Sequence, residues 1–96
     1  MKTVAGLFQS QERAQAALDA LLRAGFRADD VALVASPTSA RAFSRRYELR
    51  VAQGCVLVTI KAGTDSLASA AQQILRRLGA EHVTSMARAL SASGAG

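Results

Sequence analysis

A strand–helix–strand pattern occurs twice in this chain of 96 residues. Residues 17–25 read ALDALLRAG and residues 71–79 read AQQILRRLG, with apolar side chains at the spacing of one helical face and a glycine at the end. Short apolar segments flank both runs, at residues 4–8, 31–35, 56–60 and 83–87. Two βαβ units predict an α+β domain of the ferredoxin-like kind, a four-stranded antiparallel sheet of strand order 4-1-3-2.

The ends of the repeated helices carry recognisable signals. Ser10 stands where an N-cap hydroxyl satisfies the first free amides of a helix, and Glu12 places a carboxylate in the first turn. Gly25 and Gly79 follow the last periodic residues, as expected of C′ glycines. We therefore expect one domain over residues 1–90, followed by a small, polar and disordered tail at residues 91–96.

The segment between the two repeats has no counterpart in the second half of the chain. Ser36-Pro37 predicts a helix start, because proline suits the first helical position. Phe43, Tyr47 and Val51 are spaced by four, as on one helical face. An extra helix is therefore predicted between strands 2 and 3, from residue 37 or 39 to residue 53.

The central strands carry apolar residues on both faces, since successive side chains of a strand point in opposite directions. The two repeated helices cover only one face of the sheet. The other face is predicted to be covered by the extra helix or by a second copy of the chain, and on this ground we expect a homodimer or larger oligomer. The candidate residues for this face are Leu7, Phe43, Tyr47, Cys55 and Leu57.

The formal net charge is +5, and ten of the twelve basic residues are arginine. The densest group is Arg41, Arg45, Arg46 and Arg50, in which helical spacing brings Arg41 beside Arg45 and Arg46 beside Arg50. This group is a candidate partner surface for an acidic protein or a phosphate-bearing ligand. The simpler alternative is a solvated helix face. Nucleic acid is disfavoured, because the third strand lacks the aromatic residues on which bases stack.

No catalytic, cofactor-binding or metal-binding residues are predicted, and no cofactor is expected. His82 is the only histidine and Cys55 the only cysteine, so the ligand sets typical of zinc sites are missing. The chain has neither GxxxxGK[ST] nor GxGxxG. Cys55 is predicted to be a small buried hydrophobe.

The sequence predicts a cytoplasmic protein that does not enter the membrane. No window approaches the about 18 uninterrupted apolar residues of a membrane span. The first residues, MKTVAGLFQSQER, lack the longer apolar stretch of a signal peptide. A single cysteine excludes an internal disulfide and fits a reducing compartment.

Two segments resemble the small bacterial general stress protein domain family of the 17M type. They are residues 2–35, KTVAGLFQSQERAQAALDALLRAGFRADDVALVA, and residues 45–83, which include RRYELRVAQGCVLVTIKAG and ILRRLGAEHV. The shared features are a first strand with valine and glycine near its middle, an alanine-rich helix ending before Gly-Phe, and Tyr-Glu followed by glycine before a valine-rich strand. Relatives often carry a longer glycine-rich insert where this chain has SPTSARAFS at residues 36–44. The resemblance implies a role in stress response, no catalysis and no catalytic residues.

These features favour a non-enzymatic, stress-associated bacterial domain that oligomerises and acts through protein contacts. One alternative is a small-molecule-binding regulatory domain of the amino-acid-sensor kind. Another is a basic accessory protein on nucleic acid, and the last is a small enzyme of the dimeric α/β-barrel type. Residues 36–54 are the segment in which we expect the functional surface.

Overall fold

The computed structural model describes residues 2–87 and has an α+β architecture with an open four-stranded antiparallel sheet. The strands are β1 (Lys2–Phe8), β2 (Val31–Val34), β3 (Val56–Ala62) and β4 (Glu81–Ala87). The helices are α1 (Gln11–Arg23), α2 (Pro37–Arg41), α3 (Arg45–Ala52) and α4 (Asp65–Arg77), with a 3₁₀ turn at Ala28–Asp30. The α+β class and the antiparallel sheet are therefore confirmed. The predicted tail, residues 91–96, lies outside the described residues.

The strands lie in the order β2-β3-β1-β4, so that β1 and β3 are central and β2 and β4 form the edges. Between the central strands Val4 pairs with Ile60 and Leu7 with Leu57. Because side chains alternate along a strand, the two pairs lie on opposite faces, and all four residues are fully buried. Each central strand thus contributes to two separate apolar clusters.

One face of the sheet packs against α1 and α4, the helices of the repeat. Its core contains Phe8, Leu21, Ile60 and Leu75, each at most 1% exposed. Burying a side chain of this size contributes about 1.5–3 kcal/mol to the free energy of unfolding. The predicted N-cap of α1 is also present, since the Ser10 hydroxyl accepts a hydrogen bond from the Arg13 amide at 3.2 Å.

The predicted glycine stops are confirmed by the backbone. Gly25 and Gly79 follow the last residues of α1 and α4 with φ of 105° and 91°, a region that side-chain-bearing residues rarely adopt. The amide that follows each glycine, that of Phe26 or Ala80, then donates to a carbonyl of the preceding helix. The two helices consequently end in the same way, as the repeated sequence indicates.

The second face of the sheet is covered by α2 and α3 of the same chain. Its cluster contains Ala5, Leu7 and Leu57 from the sheet together with Ala40, Tyr47 and Val51 from the two helices. The sequence left two possibilities for covering this face, the extra helix or a second copy of the chain. In the structure the chain's own helices cover it. The bare apolar face on which we expected a homodimer is therefore not available for that purpose, and self-association stays a prediction.

The expectation of one helix from residue 37 or 39 to residue 53 is wrong, since the segment forms two helices. Ser44 interrupts it with extended backbone, φ −171° and ψ 159°, and its hydroxyl accepts a hydrogen bond from the Tyr47 amide at 3.1 Å. Ser44 is thus the N-cap of a new helix rather than an interior residue. As a result Arg41 and Arg45 belong to different helices, and Phe43 lies in the connection between them.

Within residues 2–87, none of the helices is both long enough and apolar enough to cross a membrane.

Candidate functional site

A bulge in the edge strand β4 provides the first part of the site. Ala5 of β1 pairs with Thr84, but Leu7 pairs with Glu81, so that His82 and Val83 together lie opposite Gly6. His82 has φ of 53°, the only positive φ of a non-glycine residue among residues 2–87. This is the left-handed position that glycine usually occupies in a bulge, and it bends the strand locally.

Gly6 is needed on the opposite strand because the helix side of the bulge is crowded. A Cβ atom at this position would lie 3.1 Å from the Ala80 Cβ, 3.2 Å from Leu75 Cδ1 and 3.3 Å from Val83 Cγ2. These separations are shorter than ordinary van der Waals contacts between carbon atoms. The glycine inside β1 thus lets the bulged strand approach α4 closely.

Tyr47 connects α3 to the bulge. Its hydroxyl donates to the His82 backbone carbonyl at 2.6 Å and lies 2.6 Å from Thr84 Oγ1. Because a phenol has a single proton, the Thr84 hydroxyl donates to the Tyr47 oxygen when Tyr47 donates to the carbonyl. The tyrosine is 3% exposed and its hydroxyl is satisfied on both sides. Its role is therefore to hold α3 against β4.

Burial raises the pKa of the Tyr47 hydroxyl above its ordinary value of 10.0. Desolvation disfavours the phenolate, and this effect outweighs the hydrogen bond with Thr84 and the charge of Arg46, which both lower the pKa. The hydroxyl is consequently protonated at neutral pH and available as a donor to the carbonyl of the bulge.

Two arginines of α3 converge on the imidazole of His82. Arg46 Nη1 lies 3.5 Å from His82 Nδ1, and Arg50 Nη2 lies 3.4 Å from Nε2. The arginines are four residues apart, so both guanidinium groups leave the helix on the same side. The positive φ of His82 is part of the bulge that places the ring between them.

The three side chains hold more donors than acceptors. A neutral imidazole has one bare ring nitrogen and therefore accepts from only one of the two guanidinium groups at a time, while an imidazolium accepts from neither. Glu81 Oε1 is 3.8 Å from Arg50 Nη1, beyond hydrogen-bonding distance, and both side chains are 41% exposed. The cluster therefore favours an additional acceptor that carries negative charge.

A cleft of about 580 Å³ opens beside this cluster, between the start of α3 and β4. Its lining residues are Ser44, Arg46, Tyr47, His82, Val83, Thr84, Ser85 and Met86. Arginine and imidazole groups stand beside apolar surface from Met86, whereas the Val83 side chain packs against the core on the α4 side of the sheet. Such a combination can hold an anionic group at the basic cluster and an apolar group against the remaining wall.

The structure divides the four arginines of the predicted partner surface. Arg46 and Arg50 contact His82, and of the four arginines only Arg46 lines the cleft. Arg41 ends α2 and Arg45 begins α3, and both of these are exposed. The prediction that Arg41 and Arg45 adjoin on one helix is wrong because Ser44 separates the two helices.

The residues predicted for the second sheet face do lie in one cluster. Leu7 and Leu57 are fully buried, Tyr47 is nearly so, and Phe43 and Cys55 are partly buried against them. Cys55 is thus only half-buried rather than an interior residue. Among residues 2–87, no three His, Cys, Asp or Glu side chains are close enough together to hold a metal ion.

His82, Thr84 and Glu81 were missed as site residues. The sequence placed the start of the last strand at Val83, whereas β4 begins at Glu81 and includes His82. The available signal was Gly6, an unusual residue in the interior of a strand. Its meaning depends on the pairing of β1 with β4, which the local pattern does not specify.

The chain matches no family model, no curated protein and no solved structure.

Proposed function

We propose that this chain is a non-enzymatic, stress-associated bacterial domain that binds an anionic partner at the cleft between α3 and β4. One observation carries the proposal: Arg46 and Arg50 converge on the two nitrogens of one imidazole, which can accept from only one of them. A phosphate-bearing ligand or the acidic side chains of a protein would supply the missing acceptors through charge-assisted hydrogen bonds.

The ferredoxin-like class and the family are part of the same proposal. The observed strand order reads β4-β1-β3-β2 from the opposite edge, which supports a ferredoxin-like fold with α2 and α3 inserted between β2 and β3. The stress association rests on the resemblance of residues 2–83 to general stress protein domains. The cytoplasm as its compartment rests on the single cysteine, which fits a reducing environment.

The surroundings of Tyr47, the side chain whose pKa is raised, favour a binding role over catalysis. Tyr47 is held protonated by burial, and its hydroxyl already contacts the His82 carbonyl and Thr84. Those bonds support the bulge and leave no activated nucleophile or base at this position. Arg46, by contrast, lines the cleft, and Arg50 contacts the other nitrogen of the His82 ring.

The binding site is tested by nuclear magnetic resonance titration with inorganic tripolyphosphate and with a short polyglutamate peptide. We expect saturable shifts of the signals from residues 44–50 and 81–86, and their loss in Arg46→Gln and Arg50→Gln. Arg45→Gln removes the same charge from the same helix outside the cleft and serves as the control. Signal shifts spread over all arginines, or shifts that persist in both Arg46→Gln and Arg50→Gln, would contradict the proposed site.

We further propose that the domain acts on other proteins, including further copies of itself. Leu49 is 54% exposed on α3, between the two arginines in sequence, and supplies an apolar contact beside the anionic site. Light scattering at high micromolar concentration, with and without tripolyphosphate, measures self-association. A monomeric mass under both conditions would contradict the oligomeric part and leave the binding site untouched.

A further inference from the structure

The number and placement of the donors distinguish between kinds of anion. Arg46 and Arg50 contact different nitrogens of the same ring, so they approach the site from its two sides. A carboxylate is planar, and one guanidinium satisfies both of its oxygens in a bidentate pair. A phosphate monoester has three terminal oxygens and a charge of about −1.5 to −2 at neutral pH, so it can engage two guanidinium groups and a ring N–H together.

The remaining lining determines what the phosphate is attached to. Thr84 adds a hydroxyl-bearing residue to the lining, while Met86, which lies on the same face of β4, gives it an apolar wall. The volume of about 580 Å³ is that of a small-molecule site rather than of an extended groove. A peptide or a nucleic acid would extend well beyond it.

We propose that the cleft between α3 and β4 is a binding site for a small phosphate monoester with an apolar or aromatic ester group. This inference rests on the proposed function and narrows its anionic partner to one ligand class. The phosphate lies beside the His82 ring, which itself stands between the two guanidinium groups, and accepts from Arg46 on the cleft side and from Arg50 at the other ring nitrogen. The ester group lies along Met86.

Glu81 sets the affinity of this site. Its carboxylate lies 3.8 Å from Arg50 Nη1 and offsets part of the positive charge that the ligand requires. Removing that charge strengthens phosphate binding, and the gain decreases with added salt, because the groups are about two-fifths exposed.

The test is isothermal titration calorimetry at constant ionic strength with phenyl phosphate, benzoate and inorganic phosphate. We expect phenyl phosphate to bind at least about tenfold more tightly than benzoate, which has the same ring, and more tightly than inorganic phosphate. Arg46→Gln and Arg50→Gln should each weaken phenyl phosphate binding about tenfold or more, the effect of losing one charge-assisted hydrogen bond. Arg45→Gln should change it less than about twofold.

A second pair of variants does not depend on losing binding. Glu81→Gln should tighten phenyl phosphate binding by a factor of about 2–5, whereas Glu12→Gln, an exposed charge on α1 outside the cleft lining, should leave it unchanged. Circular dichroism confirms that each variant is folded. Weaker or unaltered binding in Glu81→Gln would overturn the assignment of the phosphate to the arginine pair.

The outcomes separate the two proposals. Benzoate bound as tightly as phenyl phosphate, with both dependent on Arg46 and Arg50, would overturn the phosphate assignment and leave an anion site. Inorganic phosphate bound as tightly as phenyl phosphate would overturn the role of the apolar wall. If tripolyphosphate and polyglutamate also failed to bind at the cleft, both this inference and the proposed anion-binding function would be overturned.

Discussion

The hydroxyl of Tyr47 donates a hydrogen bond of 2.6 Å to the backbone carbonyl of His82, across 35 residues of sequence. It is the point at which the inserted segment of the chain meets the last strand of the repeat. The bond joins α3, which carries the arginines, to the bulge that carries the imidazole. The relative position of the basic groups therefore depends on a buried tyrosine rather than on the basic groups themselves.

Replacing Tyr47 by phenylalanine should lower the free energy of unfolding by about 1–2 kcal/mol, because the His82 carbonyl loses its donor and Thr84 loses its partner. Thr84→Val keeps the bond to the carbonyl and removes only the hydroxyl that contacts Tyr47, on a residue that is itself exposed, so its cost should stay below about 1 kcal/mol. Urea denaturation followed by circular dichroism measures both. Equal costs would show that the carbonyl bond contributes nothing beyond the contact with Thr84.

Alkaline pH should destabilise the fold through the same side chain. The pKa of Tyr47 is raised in the folded protein, so above pH 10.0 the unfolded chain loses the phenolic proton while the native protein keeps it. The unfolded state then binds fewer protons, and the free energy of unfolding falls as the pH rises from 10.0 toward the higher native pKa. Below that range the contribution of Tyr47 to stability is fully present.

This titration can be observed directly, because Tyr47 is the only tyrosine and the chain has no tryptophan. The ultraviolet absorbance of tyrosinate should show a midpoint above 10.0 in the native protein and a midpoint near 10.0 in denaturing guanidinium. Coincident midpoints in the two solvents would mean that the hydroxyl is solvated in the fold.

The repeat made the sheet and its helical layer predictable. Local periodicity and end signals predict strands with apolar residues on both faces, such as the central pair. They also predict helices with a capping hydroxyl and a terminal glycine. Val4 and Leu7 indeed contribute to different clusters, and Gly25 has the positive φ expected of a helix stop. These features depend on neighbours within one turn or one strand, which a sequence displays.

The site depends on interactions that local periodicity does not contain. Helical spacing runs through Phe43, Tyr47 and Val51 without a visible break, yet Ser44 starts a new helix there, since its hydroxyl competes for a backbone amide. The position of His82 depends on a register shift between β1 and β4, residues far apart in the chain. Both features are decided by how the segments pack together, and they determine which arginines contact His82.

The N-cap of α3 should be required for the cleft as well as for stability. Ser44→Ala removes the acceptor of the Tyr47 amide, and Thr64→Ala removes the equivalent acceptor of the Leu67 amide at the start of α4. Each substitution should lower the free energy of unfolding by about 1 kcal/mol. Only Ser44→Ala should also weaken phenyl phosphate binding, because it releases the helix end that carries Arg46.

Calorimetry on the two capping variants, at a temperature at which both are fully folded, measures this difference. Thr64→Ala is the matched control, since it removes a hydroxyl of the same role from the other side of the sheet. An equal loss of binding in both variants would indicate a general effect of stability, and unchanged binding in Ser44→Ala would show that the cap does not position the arginine.

The left-handed backbone conformation of His82 can be tested by comparing the stabilities of two variants that remove its side chain. A left-handed conformation costs a residue with a Cβ atom about 1–2 kcal/mol, and glycine avoids this cost. Both His82→Gly and His82→Ala remove the imidazole, so their difference reports the backbone alone. We expect His82→Gly to be more stable than His82→Ala by about 1 kcal/mol in urea denaturation.

At the neighbouring Val83, which lacks a positive φ, the order should be reversed, because glycine in an ordinary strand position is destabilising. Two positions with the same order would mean that β4 continues without the bulge, and the imidazole would then lose its place between Arg46 and Arg50.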